Sequence, residues 1–193
     1  GYLPTKELKT LRKMGSRLQG HPVKDKIPGI EMSTGSLGQG LSMACGIALA
    51  GKMDGKDYRT FCLLGDGELQ SGQNWEAAMF AAHHKLRRLT AFVDRNRLQI
   101  SGCTSDVMDL EPLADKWRAF GWNVLEIDGH DIGAILEACG KADKADRPTC
   151  VILDTVKGKG VSFMENKAEF HGKSCDYDQN ECAMCEIRER ITK

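Results

Sequence analysis

Residues 60–67 read Thr60-Phe61-Cys62-Leu63-Leu64-Gly65-Asp66-Gly67, and residues 89–96 read Leu89-Thr90-Ala91-Phe92-Val93-Asp94-Arg95-Asn96. Each is a short apolar run that ends abruptly on polar side chains, the pattern of a buried strand reaching the edge of its sheet. Between them, residues 73–85 carry a helical pattern. Two strands joined through one helix form a parallel unit, so Asp66 and Asn96 are expected to project from the same edge.

Working outward, the alternation continues. Strands are expected at Arg59–Leu64, Leu89–Val93, Trp122–Ile127 and Thr149–Thr155. Helices are expected at Lys6–Met14, Leu41–Lys52, Gln73–Lys85, Leu110–Phe120, Ile132–Lys141 and Gln179–Ile191. Glu111-Pro112 falls in the first turn of the fourth helix. This order predicts a single α/β domain over residues 1–193, with a mainly parallel sheet flanked by helices. Ligands of such sheets bind at the carboxyl ends of the strands.

Composition narrows the function classes. Lys plus Arg number 27 and Asp plus Glu number 27, a balance that leaves no electrostatic footprint for nucleic acid or an anionic membrane. No apolar run approaches the roughly 20 residues of a membrane span. The opening residues Gly1 to Lys6 show no charged-then-apolar leader pattern. A soluble, cytoplasmic protein is the expectation.

Of the 8 cysteines, Cys45, Cys62, Cys103, Cys139 and Cys150 are scattered, as small buried hydrophobes usually are. Cys175, Cys182 and Cys185 crowd together. Cys182-Ala183-Met184-Cys185 has C-x₂-C spacing, and His171 or Cys175 could complete a zinc set; the competing reading is incidental thiols.

Asp66 and Asn96 provide a carboxylate oxygen and an amide oxygen, the hard donors that Mg²⁺ takes, with water and substrate phosphates completing its shell. Gly65 and Gly67 let the backbone approach a phosphate closely, and the following helix can present N–H groups to it. A metal-bridged diphosphate is one reading. Taken alone, Gly-Asp-Gly reads rather as a turn, and Asn96 as a helix or turn cap.

Here the residues carry a resemblance. Gly65-Asp66-Gly67 followed by Asn96 is similar to the thiamine-diphosphate motif. The segments Gly20-His21-Pro22, residues 33–40 (Ser33-Thr34-Gly35-Ser36-Leu37-Gly38-Gln39-Gly40), Asp128-Gly129-His130, Lys157-Gly158-Lys159-Gly160 and His171-Gly172 follow the order found in transketolases. The chain therefore resembles the pyrophosphate-binding half of a transketolase. That resemblance implies that Asp66, Asn96 and the carbonyl of Leu98 hold Mg²⁺ or Ca²⁺. Gly65, Gly67 and Glu68 would lie at the diphosphate. Gly35 and Leu37 would line the thiazolium and aminopyrimidine, and Lys157 would reach the cofactor. His21 and His171 would be catalytic, His171 also touching the diphosphate; imidazoles near neutral pKa can shuttle protons on a sugar hydroxyl. The carbon chemistry belongs to thiamine diphosphate, and the protein provides position and electrostatics.

The remaining histidines have plainer readings: His83 and His84 as helix packing or surface residues, His130 as a structural turn residue. Glu76 is either a subunit-interface carboxylate, as the resemblance implies, or a solvated helix position. Ser71 departs from the family, which usually has Glu there, a residue associated with the dimer interface. The family also has an earlier segment carrying the first strand and further histidines. Its pyrimidine-binding domain, which provides the glutamate that activates the cofactor, is absent from these residues too. The resemblance thus implies a partner chain, in a dimer or heterotetramer, and transfer of a two-carbon ketol unit between sugar phosphates. Two alternatives stand beside it: a thiamine-dependent synthase of the deoxyxylulose-phosphate type, and a truncated, non-catalytic assembly module.

Overall fold

The computed structural model describes residues 1–191. After a short 3-10 turn at Thr5–Thr10, the chain forms α1 (Gln39–Met53), β1 (Thr60–Gly65), α2 (Gly72–His83) and β2 (Leu89–Arg95). A small hairpin follows, β3 (Leu98–Gln99) and β4 (Gly102–Cys103), leading into α3 (Thr104–Val107) and α4 (Leu113–Ala119). Then come β5 (Asn123–Asp128), α5 (Ile132–Asp143), β6 (Thr149–Asp154) and α6 (Tyr177–Ile191).

The main sheet is four-stranded in the order β1-β2-β6-β5, and all three pairings are parallel. Because β6 inserts between β2 and β5, the strand order departs from chain order beside β2. That is where ligands of open parallel sheets bind. The register aligns Gly65 with Asp94, Arg95 with Asp154 and Asp128 with Asp154. Backbone hydrogen bonds carry the ladder past the strand ends, from Asp66 N–H to Asp94 O (3.1 Å) and from Gly129 N–H to Asp154 O (2.9 Å). One edge therefore collects the ends of all four strands.

The core explains which face the helices cover. Ala44 and Ala48 on α1, and Ala77, Ala78 and Ala81 on α2, are buried. Their small side chains let both helices lie close to each other and to the sheet. Trp117 is fully buried beside Trp75 and Trp122, at ring separations of 5.4 and 4.8 Å. Strands β2 and β6 are buried along most of their length, as the inner strands of a parallel sheet should be. Strand β1 alternates instead: it lies at an edge, and Phe61 and Leu63 are exposed on its outer face.

Several boundaries differ from expectation. Residues 6–14 form only the 3-10 turn: Leu8 and Leu11 are exposed, so no packing supports an α-helix, and Arg12 adopts a positive φ of 61°. The helix expected from Leu110 begins at Leu113, with Pro112 at its N-cap rather than inside it. The Glu111 carboxylate accepts from the Leu113 N–H at 3.0 Å. Helix α2 stops at His83, and the left-handed Lys85 (φ 49°) prevents its extension. The hairpin, α3 and the 3-10 turns at Gly67–Gln70 and Ala168–His171 were not expected.

Candidate functional site

Asp66 caps the 3-10 turn that follows β1 and is almost fully buried, at 2% exposure. Its Oδ1 accepts from the Gly67 N–H at 2.7 Å, and its Oδ2 accepts from the Arg97 N–H at 2.5 Å. Burial pushes its carboxyl above the usual range; the two amide hydrogen bonds work against that shift, and the nearby Asp94 adds to it. No cationic side chain offsets this carboxylate among the described residues.

Asn96 follows β2 directly. Its Oδ1 accepts from the Leu98 N–H at 3.0 Å, closing an Asx turn in which Arg97 takes a left-handed φ of 62°. That same turn delivers the Arg97 amide to Asp66, so Asp66, Asn96 and Leu98 are assembled around one bend. Behind them the Thr155 hydroxyl, from the end of β6, donates to the Asp94 carboxylate. The donor set is a carboxylate, an amide oxygen and a backbone carbonyl, with a buried charge lacking a cation. Those are the donors a small divalent cation such as Mg²⁺ prefers, and the residues present fit it.

Gly67 is pressed against Gln99, whose Cβ lies 2.9 Å from where a Gly67 Cβ would stand, so a side chain at 67 would displace β3. On the other flank, residues 33–40 form the loop into α1. Gly35 has φ 119°, and the His21 ring occupies the space that a Gly35 Cβ would need. Only glycine permits His21 to sit there. Gly35 and Leu37 are exposed and line an open groove of about 810 Å³ that also takes in Glu68. Asp66 instead lines a smaller pocket of about 120 Å³ with Arg95, Arg97 and Glu111. Thus the glycine loop and Asp66 face different cavities.

Lys157 is half-buried in the turn after β6, where its carbonyl accepts from the Asn166 N–H at 3.0 Å. His171 is exposed at the end of the 3-10 turn at Ala168–His171, which lies against β3. That packing places it on the Leu98 side of the site. His130 fills the structural role expected of it: its Nε2 accepts from the Val156 N–H at 2.8 Å, holding the turn that leads to Lys157. His83 is exposed, and His84 packs on Phe80 at a ring separation of 4.3 Å. Glu76 is exposed on α2.

The zinc set suggested by the C-terminal cysteines is not assembled. Cys175 Sγ faces Met164 Sδ at 3.9 Å, and Cys182 Sγ faces the Glu186 carboxylate at 3.7 Å. Among the described residues, no group of three or more His, Cys, Asp or Glu is placed to hold a metal. The helix carrying Cys182 and Cys185 turns the Cys182 thiol to Glu186 on its own surface.

Sequence reasoning did not single out Asp94, Thr155 or the Arg97 amide as parts of the site. Asp94 was legible, because it ends the same apolar run as Asn96. The Arg97 contact depends on a backbone turn and leaves no side-chain signature.

Fold and site define a class: a parallel α/β domain whose carboxyl edge holds hard oxygen donors beside a glycine-rich loop. Residues 1–187 match the family described as transketolase, thiamine diphosphate binding domain, and the chain belongs to that family. It is 46% identical to a subunit of the apulose-4-phosphate transketolase of Phocaeicola vulgatus, over the whole of this chain and 69% of that protein. It is 45% identical to a subunit of the 6-deoxy-6-sulfo-D-fructose transketolase of a Clostridium species, over 97% of this chain and 68% of that one. Among solved structures it resembles the transketolase of Campylobacter jejuni, with a TM-score of 0.90 and 32% identity, covering 95% of this chain and 30% of that one. No helix among the described residues is long and apolar enough to cross a membrane.

Proposed function

We propose that this chain is the pyrophosphate-binding part of a transketolase that works with a partner chain. It binds thiamine diphosphate through a divalent cation, Mg²⁺ or Ca²⁺, held by Asp66, Asn96 and the Leu98 carbonyl. The observation that carries this reading is the buried Asp66 carboxylate, fixed by two amides and lacking a cation, beside Asn96 at the sheet edge. Thiamine diphosphate, when bound, contributes the electron sink for carbon–carbon cleavage that protein side chains lack.

The chain's own residues have distinct tasks in this reading. Gly65 and Gly67 lie at the diphosphate, Gly67 also packing tightly on Gln99, and the half-buried Lys157 adds positive charge. Gly35 and Leu37 form the wall against the cofactor rings. His21, seated on Gly35, and His171 move protons at hydroxyl oxygens of the sugar. The reaction proposed is transfer of a two-carbon ketol unit from a ketose phosphate to an aldose phosphate. One relative is named for a sugar phosphate, apulose-4-phosphate, which supports this substrate class; another is named for a sulfonated fructose. Two relatives are named as one subunit of an apulose-4-phosphate transketolase, which supports a separate partner chain carrying the pyrimidine-binding domain. Within such a dimer or heterotetramer the complete site would lie between chains, in the cytoplasm where sugar phosphates are found.

Calorimetric titration of thiamine diphosphate with Mg²⁺, with and without the partner, tests the reading. Asp66→Ala is expected to weaken binding on the order of a hundredfold, the loss of a charged ligand contact of a few kcal/mol. Ketol transfer should require both chains. Binding unaltered by Asp66→Ala would overturn the proposal. Absence of both binding and transfer in the complete assembly would favour the non-catalytic module.

A further inference from the structure

The glycine-rich loop and the metal-side turn face different cavities, yet one side chain ties them together. Glu68 Oε1 accepts from the Gly38 N–H at 2.8 Å, and its Oε2 accepts from the Gly65 N–H at 3.1 Å. Gly38 is buried, left-handed (φ 84°) and sits at the N-cap of the 15-residue helix α1. It has no side chain with which to cap that helix. The carboxylate of Glu68, delivered from a different element, accepts from the amide of the N-cap residue itself, the contact that a Glu three residues into the helix makes in a capping box. Its negative charge also lies at the end of α1 where the helix dipole favours an anion.

Two further contacts brace the same joint. Gln39 and Gln73 exchange reciprocal amide hydrogen bonds of 2.5 and 3.0 Å, joining the first turns of α1 and α2. Ser71 Oγ lies 2.6 Å from where a Gly38 Cβ would stand. A longer side chain at Gly38 would therefore push apart the two segments that Glu68 holds.

We infer that Glu68 is a positioning residue: its carboxylate latches the loop of Gly35 and Leu37 to the strand end that presents Asp66. The inference rests on the thiamine diphosphate reading and alters the part Glu68 plays in it. With both oxygens engaged by backbone amides, Glu68 does not face the diphosphate as a direct ligand. A second anion in direct contact there would repel the diphosphate. Instead, the two residues it joins directly adjoin the cofactor-facing ones: Gly38 follows Leu37, and Gly65 precedes Asp66. Without the latch, the loop samples other conformations, and apparent affinity falls by the fraction of time the competent one is populated.

The test compares Glu68→Ala and Glu68→Gln in the full-length protein, with Arg88→Ala, which removes ion pairs to Asp57 and Asp143 at the opposite edge of the sheet, as a control. Glu68→Ala should weaken thiamine diphosphate binding at saturating Mg²⁺ about tenfold or more, as expected for loss of charge-assisted hydrogen bonds. Glu68→Gln keeps one carbonyl acceptor for two amides, so its loss should be intermediate. Arg88→Ala, destabilised at the amino edge of the sheet, should bind as wild type, which separates positioning from general loss of stability. Hydrogen exchange at the Gly38 amide should accelerate at least about tenfold in Glu68→Gln, because its protecting acceptor is lost or weakened. If Asp66→Ala abolishes binding while Glu68→Ala binds like wild type, the latch is overturned and the functional reading stands. If the wild type binds no thiamine diphosphate, that reading fails. Gly38 exchange then decides the latch alone: faster exchange in Glu68→Gln supports it, and unchanged exchange overturns it.

Discussion

Cys45, Cys62 and Cys150 lie in the core against the sheet, and burial changes their chemistry. It pushes the Cys45 thiol up to about 11 and the Cys62 thiol up to about 12, the latter aided by the nearby Glu68 carboxylate. Cys150 is raised well above its ordinary value by the same desolvation. Thiolates are the reactive form. At pH 8, iodoacetamide should therefore label the exposed Cys103 and Cys185, label Cys182 more slowly because desolvation and the Glu186 carboxylate raise its thiol, and leave Cys45, Cys62 and Cys150 unmodified in folded protein. Peptide mass spectrometry reads the outcome. The linked stability effect has a definite sign. Above about pH 9 the unfolded chain loses these protons while the folded one keeps them, so stability falls as pH rises from about 9 toward 12. At this scale the sequence was legible where chemistry is carried by a side chain at a strand end, as with Asp66 and Asn96. It was silent where a backbone amide does the work, as Arg97 does. The C-x₂-C pair left two readings open, and spacing alone cannot reveal that Cys182 turns toward Glu186, as incidental thiols do.

Helix α5 illustrates what element boundaries owe to single residues. Asp131 has extended backbone at the N-cap, and its Oδ1 accepts from the Ala134 N–H at 3.1 Å. Asp131→Ala should destabilise the protein by about 1 kcal/mol, the usual worth of such a cap. Urea denaturation should show a lower midpoint with an unchanged slope, since the surface exposed on unfolding barely changes. The strands and long helices were legible because their apolar runs and helical patterns match buried elements. Segments that depend on distant packing were not. Residues 6–14 have helical propensity but no partner for Leu8 and Leu11, so only a 3-10 turn forms. The β3–β4 hairpin is held by two residue pairs, Leu98 with Cys103 and Gln99 with Gly102. That is too short to leave any periodic signal, although it fixes the backbone around Leu98.

For the molecule as a whole, the alternation of strands and helices announced a parallel α/β domain, but not the order β1-β2-β6-β5. Strand order depends on which crossovers pack best: β5 takes the far edge, and β6 inserts between it and β2, pairing with both. That placement brings Thr155 to Asp94, the strand-end neighbour of Asp66, so site electrostatics is a property of topology. A buried carboxylate without a cation is a local cost in the free protein. Because burial raises the Asp66 pKa, the folded state holds that proton longer than the unfolded chain. The contribution of this group to stability is therefore greatest at low pH, and it declines as pH rises from the ordinary aspartate value through the raised one. A divalent cation favours the ionised form and should reverse that loss. Mg²⁺ with thiamine diphosphate at a hundred times the dissociation constant should raise the unfolding free energy by about 2.7 kcal/mol at pH 7.5. The increment should shrink as pH falls through the Asp66 window, where protons compete with metal for the carboxylate. A chelator should abolish it, and Asp66→Asn should show little of it at any pH. Thermal unfolding followed by circular dichroism across pH 4–8 measures all four quantities. A ligand-dependent increment that survives both chelation and Asp66→Asn would mean that the cofactor is held elsewhere on this fold.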